Sequence, residues 1–370
     1  MILLNDFRRQ WADTGGAAMD AMAKVGASGW YVLGEQVKRF EQDLAHWWGV
    51  EQAIGVANGL DAIELALKAL GCGPGDFVLT SPISAFATPL AITKLGAQPV
   101  FCDADESGQV DLAACRRTLE QRPEIRYFVP VHLFGQCLDL DELDRLRDDF
   151  QLGLVEDCAQ SIGARFLGRP CGTAGQYAAT SFYPTKNLGA MGDGGAVLTN
   201  SEAAALPVRQ LRDYGQTAKY RHDLLGYNSR LDELQAAILA HAYLPWLTQW
   251  TLRRRAIAAE YLTGITNPAI RCVPVPPGSE GVWHLFPVLV QPHRKEAAMA
   301  HFKAAEVATG EHYPLALVEQ KALAHLAGKW GSGCARAQHF CHAEISLPIH
   351  PYLTDAEVRQ VIDAANGWQG

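Results

Sequence analysis

Between residues 53 and 199, short apolar runs alternate with stretches whose apolar residues recur every third or fourth position. The runs at 53–57, 77–80, 99–101, 127–133, 152–155, 177–182 and 196–199 are too short for helices and predict strands. The periodic stretches predict helices over 7–24, 34–48, 62–70, 89–95, 140–150 and 233–241. Within 34–48, Val37, Phe40, Leu44 and Trp47 share one face, and 62–70 is stopped by Gly71, Gly73, Pro74 and Gly75. Strands and helices in alternation build a mostly parallel sheet covered on both faces. Near Pro245 the pattern changes. A long helix runs through Arg253-Arg254-Arg255 to Tyr261, and beyond the proline-rich stretch 273–277 come shorter, antiparallel-looking pieces such as 283–290. The expected organisation is a large α/β domain over 1–245 and a small C-terminal α+β domain over 246–370.

Composition narrows the function classes. The chain has 370 residues, 48% hydrophobic and 19% charged, which suits a soluble globular enzyme of two packed domains. A net charge of −8 argues against nucleic-acid binding through a broad basic surface, so an anionic ligand needs a local cationic pocket. No apolar run reaches the roughly 18 residues of a membrane span, and the start shows no signal peptide. Nine cysteines, odd in number and without a CxxC pair, read as reduced thiols of a cytoplasmic protein.

The chemistry-bearing residues fall where strands end. Asn58-Gly59-Leu60 sits where a strand becomes a helix N-terminus, either an ordinary cap or a phosphate site made by free N–H groups. Phe86 follows the next strand, as core or as a face for a planar ring. Asp157 closes the strand at 152–155, where it either caps a turn or stays ionised beside a buried cation. Cys158 reads as buried filler. Lys186 lies in Ser181-Phe182-Tyr183-Pro184-Thr185-Lys186-Asn187-Leu188-Gly189, just past a strand and next to the glycines 189, 192, 194 and 195. The loop from Lys219-Tyr220-Arg221-His222 to Gly226-Tyr227-Asn228-Ser229-Arg230 is basic and aromatic, a phosphate site or a solvated turn. A lysine, an acid, an aromatic ring and a helix N-terminus at one sheet edge are the set that pyridoxal phosphate requires. The lysine amine condenses with the aldehyde, the acid keeps the ring nitrogen protonated, the aromatic stacks, and the amides hold the phosphate.

These segments resemble the pyridoxal-phosphate-dependent nucleotide-sugar aminotransferases of the DegT/DnrJ/EryC1/StrS family over nearly the whole chain. The resemblance rests on Phe40-Glu41, Asn58-Gly59-Leu60-Asp61-Ala62, Gly73-Pro74-Gly75-Asp76, Phe86-Ala87-Thr88 and Gly96-Ala97-Gln98-Pro99-Val100. It continues through Glu156-Asp157-Cys158-Ala159-Gln160, Ser181 to Lys186, Gly226-Tyr227-Asn228-Ser229-Arg230, His284-Leu285-Phe286 and Ser346-Leu347-Pro348-Ile349-His350-Pro351-Tyr352-Leu353. It implies transferase fold type I of the aspartate-aminotransferase kind, a homodimer with shared active sites, and L-glutamate as amino donor. Lys186 would carry the cofactor and move the proton, Asp157 would pair with the ring nitrogen, and Gln160 would bond the phenolic oxygen. Phe86 would stack on the ring; Gly59, Leu60 and Ser181 would bind phosphate, and Asn228 would reach it from the partner subunit. Asn58-Gly59-Leu60-Asp61-Ala62 is most similar to members that aminate C-3 of a dTDP-linked keto-6-deoxyhexose, in routes to deoxyamino sugars of antibiotics or lipopolysaccharide. Tyr183, Tyr220 and His312 would then contact the sugar, with Lys219 and Arg230 near the diphosphate or the glutamate carboxylate. One stretch departs: after His312-Tyr313-Pro314 many members continue with Pro and then His, but this chain reads Leu315-Ala316-Leu317-Val318-Glu319-Gln320. That departure bears on the sugar pocket and does not touch the cofactor residues. The rivals are C-4 amination, keto-cyclitol amination and, from another class, a non-catalytic sensor, which the intact lysine, acid and glutamine disfavour. A dehydratase is disfavoured because such relatives carry histidine in place of Lys186. A nicotinamide enzyme is disfavoured because the glycines after Lys186 do not form GxGxxG opening a helix.

Overall fold

The computed structural model describes residues 1–326 and 333–370. Helix α1 (Phe7–Ser28) begins on Asp6, whose carboxylate accepts from the amides of Arg8 and Arg9, and α2 (Glu35–Trp48) follows. Next come β1 (Gln52–Val56), α3 (Gly59–Ala69), β2 (Phe77–Thr80), α4 (Ala87–Lys94), β3 (Gln98–Phe101), α5 (Leu112–Gln121), β4 (Ile125–Val129), α6 (Leu140–Asp149) and β5 (Gly153–Asp157). A short hairpin of β6 (Arg165–Phe166) and β7 (Arg169–Pro170) precedes β8 (Tyr177–Ser181), β9 (Gly195–Thr199) and α7 (Glu202–Leu211).

Seven of these strands form one sheet in the order β1-β9-β8-β5-β4-β2-β3. Strands β2, β3, β4, β5 and β8 pair in parallel, whereas β9 runs against both β8 and β1. Successive residues point to opposite faces. Leu79, Phe128, Leu154 and Leu198 therefore join one core with Phe40 and Leu44 of α2, while Val78, Val129, Val155 and Val197 join another with Leu65 and Leu67 of α3. With both faces covered, the strands are continuous apolar runs rather than alternating ones. Because β9 returns along β8, the segment 182–194 between them emerges at the carboxyl end of β8, beside the carboxyl ends of β5, β4 and β2. An open α/β sheet collects its ligands at that edge.

The strand expected to reach Leu133 stops at Val129. Pro130 offers no N–H to a ladder, so the chain bonds onward through its carbonyl, which accepts from Asp157 N–H at 2.8 Å, and through His132 N–H, which donates to Asp157 O at 3.0 Å. Leu133–Gly135 then forms one 3-10 turn, with Phe134 at φ 60°. The apolar pattern does not single out α5, which buries only Cys115, Thr118 and Leu119.

A hairpin of β10 (Gln216–Ala218) and β11 (Arg221–His222), then α8 (Glu233–Ile238), lead to α9 (Leu247–Gly264). Leu247 and Trp250 of α9 belong to the α2-side core, while Ile257 and Tyr261 lie in a separate core with Phe286, Phe302, Ile345 and Val361. The change of core thus falls inside α9, between Trp250 and Ile257, just past Pro245. The second unit contains β12 (Arg271–Cys272), β13 (Ser279–Glu280), β14 (Phe286–Leu289), α10 (Lys295–Ala304), α11 (Ala335–Ala343), β15 (Glu344–Leu347) and α12 (Asp355–Gly367). Strands β12, β14 and β15 make an antiparallel sheet, and β13 pairs with β6 across to the large unit. Ile2 bridges to Val307 and is buried in this second core, so the segment before α1 packs with the second unit. No helix among the described residues is long and apolar enough to cross a membrane.

Candidate active site

A cavity of about 360 Å³ opens at the carboxyl ends of the parallel strands, between the two units. Its first wall is the turn from β1 into α3. Asn58 caps the helix, its Oδ1 accepting from Asp61 N–H at 2.8 Å, and its carbonyl takes the first intrahelical bond, from Ala62 N–H. The amides of Gly59 and Leu60 precede that bond and have no intrahelical acceptor. A Cβ at Gly59 would lie 2.6 Å from Ser181 Cβ, so only glycine lets the end of β8 close against this turn. Two amides, the positive end of α3 and the Ser181 hydroxyl thus form one cradle for an anion.

Asp157 ends β5 and is buried. Its Oδ2 accepts from Thr88 Oγ1 at 2.9 Å and its Oδ1 from Ala159 N–H at 3.1 Å. Burial pushes the carboxyl up; the bonds from Ala159 and Thr88 and the charge of Lys186 pull it back without cancelling the rise. Such an acid ionises readily once a cation is set against it. Behind it, Glu156 is fully buried and accepts from His132 Nε2 (2.9 Å) and from the amides of Gly172, Ala174 and Gly175 (2.9, 2.7 and 2.8 Å). His132 Nδ1 in turn accepts from Leu138 N–H at 3.0 Å. His132, Glu156, Cys158 and Cys171 lie within 4.8 Å of one another, but both imidazole nitrogens and both carboxylate oxygens are engaged in this network. It braces the strand end that carries Asp157. Sequence reasoning missed the brace because its parts are far apart along the chain.

Lys186 sits in a tight turn, its amide donating to Tyr183 O at 2.8 Å. A Cβ at Gly189 would fall 2.2 Å from Pro184 O, which is why the turn closes only with glycine there. Burial holds the ammonium down, to about 8, against the opposing pull of Asp157. An amine so placed supplies a useful neutral, nucleophilic fraction at mildly alkaline pH. Asn187, next in the chain, donates to Val282 O at 3.1 Å and meets His284 Nδ1 at 3.1 Å, tying the lysine turn to the second unit.

Gly59, Leu60, Asp157, Gln160, Ser181, Tyr183, Lys186 and His312 all line this one cavity. Gln160 is aimed by Phe134 N–H, which donates to its Oε1 at 2.6 Å, and its Nε2 donates to Tyr313 Oη at 3.2 Å. Tyr313 and His284 also face the cavity, although the sequence assigned them no role; both stand inside motifs beside residues that were singled out. Phe86 is half-buried at the N-terminus of α4, packed on one side against the cluster of Ile83, Phe101, Leu133 and Phe134, and its neighbours Ser84, Ala85 and Ala87 form the cavity wall. Lys219, Tyr220, Asn228 and Arg230 lie off the cavity of their own chain. Tyr220 is 82% exposed on the β10–β11 hairpin, and Lys219 Nζ lies over its ring. Asn228 is exposed in a bridge to Asp213, and Arg230 pairs with Asp213 at 2.9 Å and stacks on Tyr214.

The chain is 41% identical over 350 residues to the dTDP-3-amino-3,4,6-trideoxy-alpha-D-glucose transaminase of Streptomyces venezuelae, covering 94% of this chain and 91% of that one. The crystal structure of S. venezuelae DesV in complex with a ketimine intermediate matches with a TM-score of 0.94 at 40% identity, over 99% of this chain and 98% of that one. NtdA from Bacillus subtilis, solved with bound cofactor PMP, matches with a TM-score of 0.88 at 26% identity, over 95% of this chain and 81% of that one. The model of the DegT/DnrJ/EryC1/StrS aminotransferase family matches residues 13–366, and this chain belongs to that family.

Proposed function

We propose that the chain transfers the amino group of L-glutamate to the C-3 carbonyl of a dTDP-linked keto-6-deoxyhexose, using pyridoxal 5′-phosphate bound at Lys186. The observation that carries this reading is the convergence of a depressed lysine, a buried acid and an N–H cradle on one cavity. The residues fit the cofactor: the glycine-dependent cradle of Gly59, Leu60 and Ser181 matches a phosphate, and Asp157 matches a ring N–H. Pyridoxal phosphate, when bound, supplies an electron sink that makes the proton on the carbon next to nitrogen acidic. The chain does the rest. Asp157 holds the proton at the ring nitrogen, Gln160 directs its amide at the phenolic oxygen, and the Lys186 amine takes up and returns the proton. His312, His284 and Tyr183 border the space left for the sugar. The relatives' names support C-3 of a dTDP sugar as the acceptor. Eight buried thiols among the nine free cysteines support a reducing, cytoplasmic setting.

The test is an absorbance spectrum of the purified protein before and after L-glutamate. A band near ~420 nm should fall as one near ~330 nm rises. No such band after reconstitution with cofactor would reject the assignment of Lys186.

The same reading takes the protein as a homodimer with shared sites. Trp11, Met19, Trp30, Tyr31, Met191 and Leu234 stay exposed around α8, an apolar surface suited to burial between subunits. Asn228, Lys219, Tyr220 and Arg230, turned away from their own cavity, would then serve the partner's. Mixing Lys186→Ala with Asn228→Asp protomers should restore activity, because a mixed dimer holds one site free of both changes. Random mixing should reach about a quarter of the parental rate. Activity no higher than that of either variant alone would show that each site is built from one chain.

A further inference from the structure

His312 is held by a closed ring of hydrogen bonds. Its backbone N–H donates to Glu344 Oε2 at 2.7 Å, its Nδ1 lies 2.9 Å from Ser346 Oγ, and Ser346 Oγ–H donates to Glu344 Oε1 at 2.5 Å. Glu344 and Ser346 occupy alternate positions on β15 and are fully buried, so both project from the same face of the strand, and the backbone bridge from Gly310 to Ser346 brings the chain at His312 alongside. The imidazole borders the main cavity and an adjoining one of about 220 Å³ shared with Asn5, Thr185 and His284. With Nδ1 engaged at Ser346, Nε2 is the nitrogen left to face those cavities.

The ring of bonds admits two proton arrangements. When Glu344 is ionised, Ser346 donates to it and accepts from Nδ1–H, and Nε2 is a bare acceptor. When Glu344 carries a proton on Oε1, it donates to Ser346, Ser346 donates to Nδ1, and the imidazole proton sits on Nε2. One proton is gained at Glu344, and His312 stays neutral while its own proton changes nitrogen. We propose that Glu344, acting through Ser346, is a positioning residue that sets whether His312 offers the sugar an acceptor or a donor. A keto oxygen can only accept, so it suits the donor form; a sugar hydroxyl can meet either. The inference rests on reading the cavity as the sugar site.

The surroundings favour a switch near neutrality. Burial pushes Glu344 up to about 7, against the bonds from Ser346 and His312 and the charge of Lys295, with Glu311 adding to the rise. Burial, then the charge of Lys186, hold His312 down to about 4, so it stays neutral through this range. Of the other groups facing Glu344, Lys295 on α10 is paired with Glu311 at 2.6 Å, and burial pushes up both the Tyr313 phenol and the Cys341 thiol of α11.

The test is ¹⁵N NMR of the full-length protein labelled at histidine, with the His312 signals assigned by loss in His312→Gln. The parent should change from the Nε2–H to the Nδ1–H tautomer as pH rises through about 7. In Glu344→Gln the amide oxygen must still accept from His312 N–H, so its NH₂ faces Ser346 and locks the donor form at every pH. Ser346→Ala, a small change in a buried site, should uncouple the tautomer from pH. In steady state, KM for the keto sugar should rise roughly 5–10-fold from pH 6 to 8 in the parent, the worth of one hydrogen bond, and stay flat in Glu344→Gln. A parental tautomer that does not move, or one that still moves in Glu344→Gln, overturns the inference. The glutamate half-reaction involves no sugar, so its failure in the parent would overturn the functional reading while leaving the NMR result to stand or fall alone.

Discussion

Lys186→Ala is expected to abolish turnover while leaving the fold intact. Loss of the positioned amine removes a proton-transfer contribution of roughly 10²–10⁴-fold, as well as the covalent anchor. The expected signature is specific: the variant still takes up cofactor through Gly59, Leu60 and Ser181, yet the glutamate-dependent change in absorbance disappears. The melting temperature should be unchanged or higher, because burial already disfavours the lysine's charged form and alanine removes that penalty. Steady-state transamination at the parental rate would end the assignment. A collapse in thermal stability would instead indicate that the lysine holds the turn together.

Asp157→Asn should be the second most damaging change. The amide keeps the shape and can still accept from Ala159 N–H, while the Thr88 hydroxyl can rotate to accept from the new NH₂. What it cannot do is counter a protonated ring nitrogen. A charge-assisted bond contributes about 1.5–3 kcal/mol, so the half-reaction with glutamate should slow by at least ~10–100-fold, and further as the ring proton itself is lost. The loss should fall on kcat, with KM for glutamate little changed, since the group acts on the reacting π-system and does not touch the donor's carboxylates. An unchanged single-turnover rate would show that Asp157 has only a capping role.

Much of this was legible in the sequence. Strands buried on both faces have to be apolar throughout, which is why β2, β5, β8 and β9 stood out as short unbroken runs. Their loop ends carried the residues that the fold brings to one cavity, because a parallel sheet delivers every strand's carboxyl end to the same edge. The Glu156–His132 brace and the Glu344–Ser346–His312 ring were invisible because each joins residues that only tertiary packing makes adjacent. Helix α5 was missed because three buried residues leave too weak a stripe to register. Cap chemistry could have found α12, whose Thr354 and Glu357 form a reciprocal capping box.

Helix α9 has one end in each core, and that has a mechanical meaning. A beam embedded at both ends resists pivoting: for the two units to rock apart, the rod itself would have to bend near residues 251–256 and break its internal ladder there. The second unit then serves as a fixed wall of the reaction chamber rather than a swinging door. Traffic through the mouth falls to small parts at the rim, such as Tyr183, a residue 53% exposed while still bordering the cavity. A bulky nucleotide-bearing guest would then enter past movable side chains at that rim rather than through an opening of the whole unit.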